Sequence, residues 1–316
     1  MRRVSLFLLA LSLIVTSCAA NAESPELPMT DGRTWGMSSQ GPEQGVAAAV
    51  DTSKTLGRKL DVVNFFEAWV WDRDLPTDTL TRIRDAGAMP AITWEPWDPR
   101  KDKTQTDFLP SKIAAGDYDD YIGRWAVDAD TFDQPMQLRF GHEMNGTWYP
   151  WGIGVNGNTA QDYIDAYRHI HQIFMSAGAT KVQFVWSYDT SSNRPAGLPN
   201  AADAYPGDPY VDVIGIDGYN GGADGSYWQT PEELFAPAID AAGSIAPGKT
   251  LWIYETGSGD TLGDKAHWIS SLFAYLKTTR VSGVLWFDYA KPGEADWTLD
   301  SSESVTSATR QALSQW

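Results

Sequence analysis

Two glutamates stand at the ends of apolar runs in this chain. Glu143 lies in Arg139-Phe140-Gly141-His142-Glu143-Met144-Asn145, and Glu255 closes Ile253-Tyr254-Glu255. Four more apolar runs end in Trp94-Glu95-Pro96-Trp97, Ser187-Tyr188-Asp189, Asp217-Gly218-Tyr219-Asn220 and Asp288-Tyr289. A strand that runs into a carboxylate carries a desolvation penalty unless the acid has a partner or a task. Any one of these acids is as well explained as a helix cap or the partner of an arginine. Six ends that combine acids and aromatics point instead to a site. Two facing carboxyl groups can cleave an acetal, about 5–5.5 Å apart if the anomeric configuration is retained and about 6.5–9.5 Å apart if it is inverted. In the retaining case Glu255 must be ionised to attack carbon, so it needs donors or a cation nearby. Tyr219 can donate, and Arg139 can supply charge. Residues 139, 141 and 143 share one face of an extended strand, which puts Arg139 beneath Glu143, where it also serves as an inner salt bridge. Glu143 must hold a proton first and give it up later, once ester formation has removed the charge of Glu255.

These residues need a scaffold that gathers strand ends. Short apolar, β-branched and aromatic runs fall at 34–38, 62–71, 88–97, 136–145, 181–188, 211–219, 251–255 and 283–289. Helical spacing of Tyr163, Ala166, Tyr167, Ile170, Ile173 and Phe174 marks 159–177 as a helix stopped by Gly178. Ala266, Ile269, Leu272, Phe273 and Leu276 mark another over 264–277. The connection 191–209, rich in Pro, Asn and Gly, leaves a short helix or none after the fifth strand. Eight strand–helix alternations are the expectation for a single (β/α)8 barrel, with a doubly wound sheet as the alternative, and residues 33–316 fit the length of one barrel. In a barrel the active groups collect at the carboxyl ends of the strands.

The segment from Arg139 through Gly152, Arg-Phe-Gly-His-Glu-Met-Asn-Gly-Thr-Trp-Tyr-Pro-Trp-Gly, resembles the acid/base segment of glycoside hydrolase family 26. The resemblance extends in strand order and spacing over 33–316, and Ile253-Tyr254-Glu255-Thr256-Gly257 falls where that family has its nucleophile. It implies a retaining (β/α)8 enzyme acting on a β-linked polysaccharide, without a cofactor or a metal. Glu143 would be the acid/base and Glu255 the nucleophile. His142, Trp148, Tyr219, Trp286, Trp94 and Glu95 would bind substrate, with Tyr219 hydrogen-bonded to the nucleophile, while Arg139 and Asn145 would support the pair. The family covers mannanases, β-1,3-1,4-glucanases and β-1,3-xylanases. Trp148-Tyr149-Pro150-Trp151 departs from the aromatic run of many of its mannanases, so mannan and mixed-linkage glucan both stay open. A barrel that only binds glycans at the cell surface is the alternative from another class.

Other patterns carry less. Gly152-Ile153-Gly154-Val155-Asn156-Gly157 follows a Trp-rich loop rather than a strand, so it reads as a turn and not as a dinucleotide site. His169 and His171 lie two apart in one helix and point in different directions. Ser258 has no histidine partner in view. Fifteen Trp suit stacking on sugar faces, although Trp is commonly core. The formal net charge of −17 disfavours nucleic acid. The amino terminus, Met1-Arg2-Arg3 and an apolar run from Val4 to Val15, has the form of a secretory signal over 1–17, short of the about 20 residues that a membrane span needs. Val15-Thr16-Ser17-Cys18 resembles a bacterial lipobox, and Cys18 is the one cysteine. Processing there removes two arginines and takes the formal charge from −17 to −19. The expectation is a monomer tethered through residues 18–32 to the outside of a bacterial membrane, in contact with lipid only through Cys18. Cys18→Ser is expected to move the protein from the membrane fraction to the soluble one with activity unchanged; equal membrane retention on fractionation contradicts the anchor.

Overall fold

The computed structural model describes residues 32–39, 41–190, 199–221, 227–291 and 293–316. The signal segment, Cys18 and nearly all of the tether lie outside the described residues. Eight parallel strands close into one barrel in chain order: β1 (Thr34–Ser39), β2 (Val62–Ala68), β3 (Met89–Glu95), β4 (Met136–Phe140), β5 (Val182–Asp189), β6 (Val213–Asn220), β7 (Thr250–Ser258) and β8 (Gly283–Phe287). Around them run α1 (Val46–Leu56), α2 (Thr77–Asp85), α3 (Pro110–Ala114), α4 (Asp119–Phe132), α5 (Ala160–Ala177), α6 (Pro231–Ile245), α7 (Lys265–Leu276) and α8 (Glu303–Leu313). The (β/α)8 expectation therefore holds, and the open sheet is excluded. After β5 the described connection contains only short 3-10 turns, at Ala201–Ala204 and Asp208–Tyr210.

Local signals set the helix ends. Thr159 caps α5 with a reciprocal capping box to Asp162, and Gly178 ends the helix at φ +94°. Asp264 caps α7 by accepting from the His267 amide. Among the described residues no helix is long and apolar enough to cross a membrane.

Alternation along each strand sorts side chains into two layers. Val62, Ala91, Val185, Val213, Trp252 and Leu285 pack inside the barrel, whereas the opposite faces pack against the helices. Most of the fully buried tryptophans serve that outer layer: Trp94 stacks on Trp125 of α4, with centroids 4.4 Å apart, and Trp286 meets Trp268 of α7. Two strands break the alternation where the site begins. On β7 the register slips, so that Ile216 and Asp217 of β6 pair with Ile253 and Glu255. The residue skipped by this bulge is Tyr254, which already faces inward, so Glu255 also turns inward instead of pointing at the helices. On β4 the regular strand stops at Phe140, and Gly141 and Glu143 both adopt φ +53°. Glu143 thus reaches the barrel mouth by a left-handed turn and not by the simple alternation of 139, 141 and 143.

Candidate active site

A cleft of about 920 Å³ opens over the carboxyl ends of the strands. Glu143, Glu255 and Glu95 line it, with Tyr219, Asp189 and the aromatic side chains of Trp148 and Trp297. Beneath it lies a buried polar girdle centred on Arg139. The guanidinium donates to Thr93 Oγ1 at 2.9 Å, to Asp217 Oδ2 at 2.9 Å, to Ser187 Oγ at 3.2 Å and to Glu255 Oε1. Thr93 in turn donates to Asn64, and Asn64 to Ser38. Side chains from seven successive strands are therefore joined around one cation. Burial by itself opposes that charge, but Glu255 and Asp217 outweigh it and hold Arg139 above the usual arginine range. Burial pushes the Asp217 carboxyl up, against the pull of Arg139.

The two central glutamates stand in different surroundings. Glu255 receives Arg139 on one oxygen and the Tyr219 hydroxyl on the other, at 2.7 Å. Burial, then the Glu255 charge, keep the Tyr219 phenol well above its ordinary range, so it stays a donor. Glu143 has no arginine partner. Its carboxyl accepts from the Trp148 indole, its backbone N–H donates to Ser187 O at 3.0 Å, and its carbonyl accepts from Gly146 N at 2.8 Å. Those backbone bonds hold a left-handed conformation that costs a non-glycine residue roughly 1–2 kcal/mol. Burial first, then the charges of Asp189 and Glu255, raise the Glu143 carboxyl well above the carboxylate range. One acid therefore accepts from a guanidinium and a phenol, and the other is held as an acid. That division suits an attacking carboxylate and a proton donor.

The remaining sequence candidates fall in several places. Trp148 is in the cleft, 42% exposed, with its indole on Glu143. Glu95 lines the cleft, and burial, then the Glu255 charge, raise it to about 8. Asn145 ties two strand ends together by exchanging hydrogen bonds with the Asp189 backbone at 3.0 Å each. His142 is fully buried one layer back, where its Nε2 pairs with the Tyr149 hydroxyl at 3.1 Å and Tyr149 takes the cleft position. Burial, then Arg139, hold His142 well below the usual histidine range, so its ring is neutral. Trp94 and Trp286 are corrections: both are fully buried on the outer faces of β3 and β8, and their inward neighbours Glu95 and Phe287 line the cleft. Several cleft residues escaped the sequence reading, among them Trp71, Trp97 and Trp297. Trp97 had a signal in its polar strand end, whereas Trp297 comes ten residues after β8 with no pattern to mark it. His169 pairs with Asp119 on the surface, and His171 packs on Phe184 and Tyr210. Among the described residues no group of three His, Cys, Asp or Glu could hold a metal ion.

Residues 108–241 match the family model described as glycosyl hydrolase family 26. Endoglucanase H of Acetivibrio thermocellus is 35% identical over 280 residues, which cover 86% of this chain and 29% of that protein. The chain thus spans less than a third of that relative's length. Mannan endo-1,4-beta-mannosidase of Bacillus subtilis is 31% identical over 88 residues, 27% of this chain and 23% of that protein. Among solved structures, a modular endo-beta-1,4-mannanase from Cellulomonas fimi superposes with a TM-score of 0.66 at 16% identity, covering 90% of this chain and 70% of that one. At that identity the likeness speaks for the fold.

The buried acids set a pH dependence. Glu95 keeps its proton up to about pH 8 when folded, whereas an unfolded glutamate loses it near 4.5. Between those values the folded state holds more protons, so its stability falls as pH rises. Glu95→Gln is expected to flatten the decline of urea-unfolding free energy between pH 5 and 8; an unchanged slope contradicts this account of Glu95.

Proposed function

The chain belongs to glycosyl hydrolase family 26, and from that premise we propose that it is a retaining endo-β-glycanase. Its preferred substrate would be a β-glucan of mixed 1,3-1,4 linkage, ahead of β-1,4-mannan and β-1,3-xylan. One observation carries the mechanism: Glu255 sits between Arg139 and Tyr219, while Glu143 shares the cleft without a cation of its own. The Glu255 carboxylate attacks the anomeric carbon as the bond to the departing oxygen breaks, and that oxygen takes the proton of Glu143. A glycosyl ester forms on Glu255. Its negative charge, one of the influences that hold Glu143 protonated, is then gone. Glu143, now an ionised carboxylate, takes a proton from water as the water oxygen attacks the anomeric carbon, which releases Glu255 as the carboxylate and returns the sugar with its original configuration.

The substrate order rests on extent of similarity. The endoglucanase match runs through 86% of the chain, whereas the mannosidase match covers 27%. The cleft supports an uncharged glycan, because Asp189, Glu255 and Glu294 stand against Lys291 in its lining, where Glu95 and Glu143 are held protonated. An acidic polysaccharide would meet like charge there.

The test combines substrate profiling with two variants. Purified protein should release reducing oligosaccharides from lichenan faster than from mannan or β-1,3-xylan. Glu255→Ala should lose activity by several orders of magnitude whatever the leaving group. Glu143→Ala should still react with an activated aryl β-glycoside, and azide should restore its turnover by giving a β-glycosyl azide. An α-azide from Glu143→Ala reverses the two roles. Glycan binding without release of reducing sugar by the unaltered protein makes it a binding module instead.

A further inference from the structure

Trp297 lies where the cleft meets the nucleophile. Its ring borders the cleft and packs on Tyr219, with centroids 5.1 Å apart. It also covers Gly257, two residues beyond Glu255, where an added Cβ would stand 3.0 Å from the ring. Tyr219 is the donor to Glu255 Oε2. The position of this loop aromatic therefore bears on the position of the nucleophile.

The backbone that carries Trp297 is held at three consecutive carbonyls. Lys265 Nζ donates to Asp296 O at 2.9 Å and to Thr298 O at 2.7 Å, and between them Trp286 Nε1 donates to Trp297 O at 2.6 Å. The next amide, Leu299 N, donates to Asp288 Oδ1 at 2.8 Å. A lysine only 2% exposed is costly to bury, since its ammonium leaves water. Burial draws its pKa down, opposed by Asp296, Asp260, Asp288 and Asp300. An aliphatic residue would pack at the start of α7 without that cost, but it could not hold the two carbonyls. Trp286, which sits outside the cleft, directs its one polar atom at the carbonyl of the residue that matters.

We propose that Lys265 and Trp286 are positioning residues for the nucleophile: together they clamp the backbone at 296–298, which fixes Trp297 against Tyr219 and so fixes the hydroxyl that holds Glu255. This inference rests on the hydrolase reading above and extends it by two residues that touch neither substrate nor the reacting atoms. Loss of either donor leaves the fold and the rest of the cleft lining in place but loosens Trp297, and with it the Tyr219–Glu255 hydrogen bond. The effect should therefore fall on kcat rather than on KM.

A double-mutant cycle tests it. Trp286→Phe keeps an aromatic ring and removes the N–H; Lys265→Met keeps the stem and removes the ammonium. With lichenan as substrate and activity expressed per folded molecule, each is expected to lower kcat roughly 5- to 10-fold and to change KM less than about two-fold. Tyr219→Phe, which removes a hydrogen bond to a charged group, is expected to cost roughly 10- to 100-fold. In the Tyr219→Phe background the two positioning variants should cost almost nothing further, because the bond they support is already absent. Full additive losses in that background overturn the proposal, as does a kcat per folded molecule that stays at the wild-type value when only the melting temperature falls. If Trp286→Phe does not fold, Lys265→Met carries the cycle alone with the same criteria. A wild-type protein inert on every β-glycan is a separate failure, seen before any variant is made, and it removes the hydrolase reading together with this one.

Discussion

A guanidinium with no exposure to water is the constraint around which this barrel is arranged. Arg139 cannot shed its charge, so the interior must answer it with carboxylates and hydroxyl oxygens from several strands. Glu255 and Asp217 provide the charge, Thr93 and Ser187 the remaining acceptors. Removing one member of such a buried set typically costs about 3–5 kcal/mol, because the others are left without compensation. The same contacts that balance Arg139 fix one oxygen of Glu255, and Tyr219 fixes the other. Structural and chemical demands thus meet in one carboxylate.

The second glutamate owes its character to what it lacks. Glu143 shares the cleft and its electrostatics with Glu255 but is not a partner of the cation, and burial with two neighbouring acids favours its protonated form. In the proposed reaction two chemically identical side chains take opposite tasks from their surroundings. Their link is also the timing device of the proposed reaction, since consumption of one charge changes the proton affinity of the other. A backbone turn of positive φ at Glu143 and a bulge beside Glu255 aim the two groups, and both irregularities sit where strand gives way to site.

Much of this was legible in the sequence, for identifiable reasons. Eight parallel strands must be apolar to be buried on both sides, so each leaves a short dense run, and α5, α6, α7 and α8 carry side-chain caps at Thr159, Thr230, Asp264 and Ser302. The polar ends of those runs marked Glu143, Glu255, Glu95 and Tyr219 as cleft residues. The runs themselves read too long at several carboxyl ends: β4 stops at Phe140 and β2 at Ala68, because the ordered loops beyond them share the strands' aromatic composition. Facing was the weakest point. Trp94 and Trp286 neighbour cleft residues in sequence, but the two-residue period sends them to the helices, where a tryptophan fills volume as well as it stacks on a sugar. Asp217 stands at a polar strand end, yet its bond to Arg139 depends on strand proximity that no local pattern encodes. The bulge at Tyr254 left no trace in residue type at all.

The proposed mechanism requires Glu255 to be the group that bonds to the sugar. An activated 2-deoxy-2-fluoro β-cello-oligosaccharide forms the glycosyl ester readily but releases it slowly, which allows the labelled residue to be found by proteolysis and mass spectrometry. Stoichiometric labelling confined to Glu255, with loss of activity in step, is the predicted result. A label on Glu143 or Glu95, or no label from a protein whose first hydrolysis product has the α configuration by proton NMR, would contradict it.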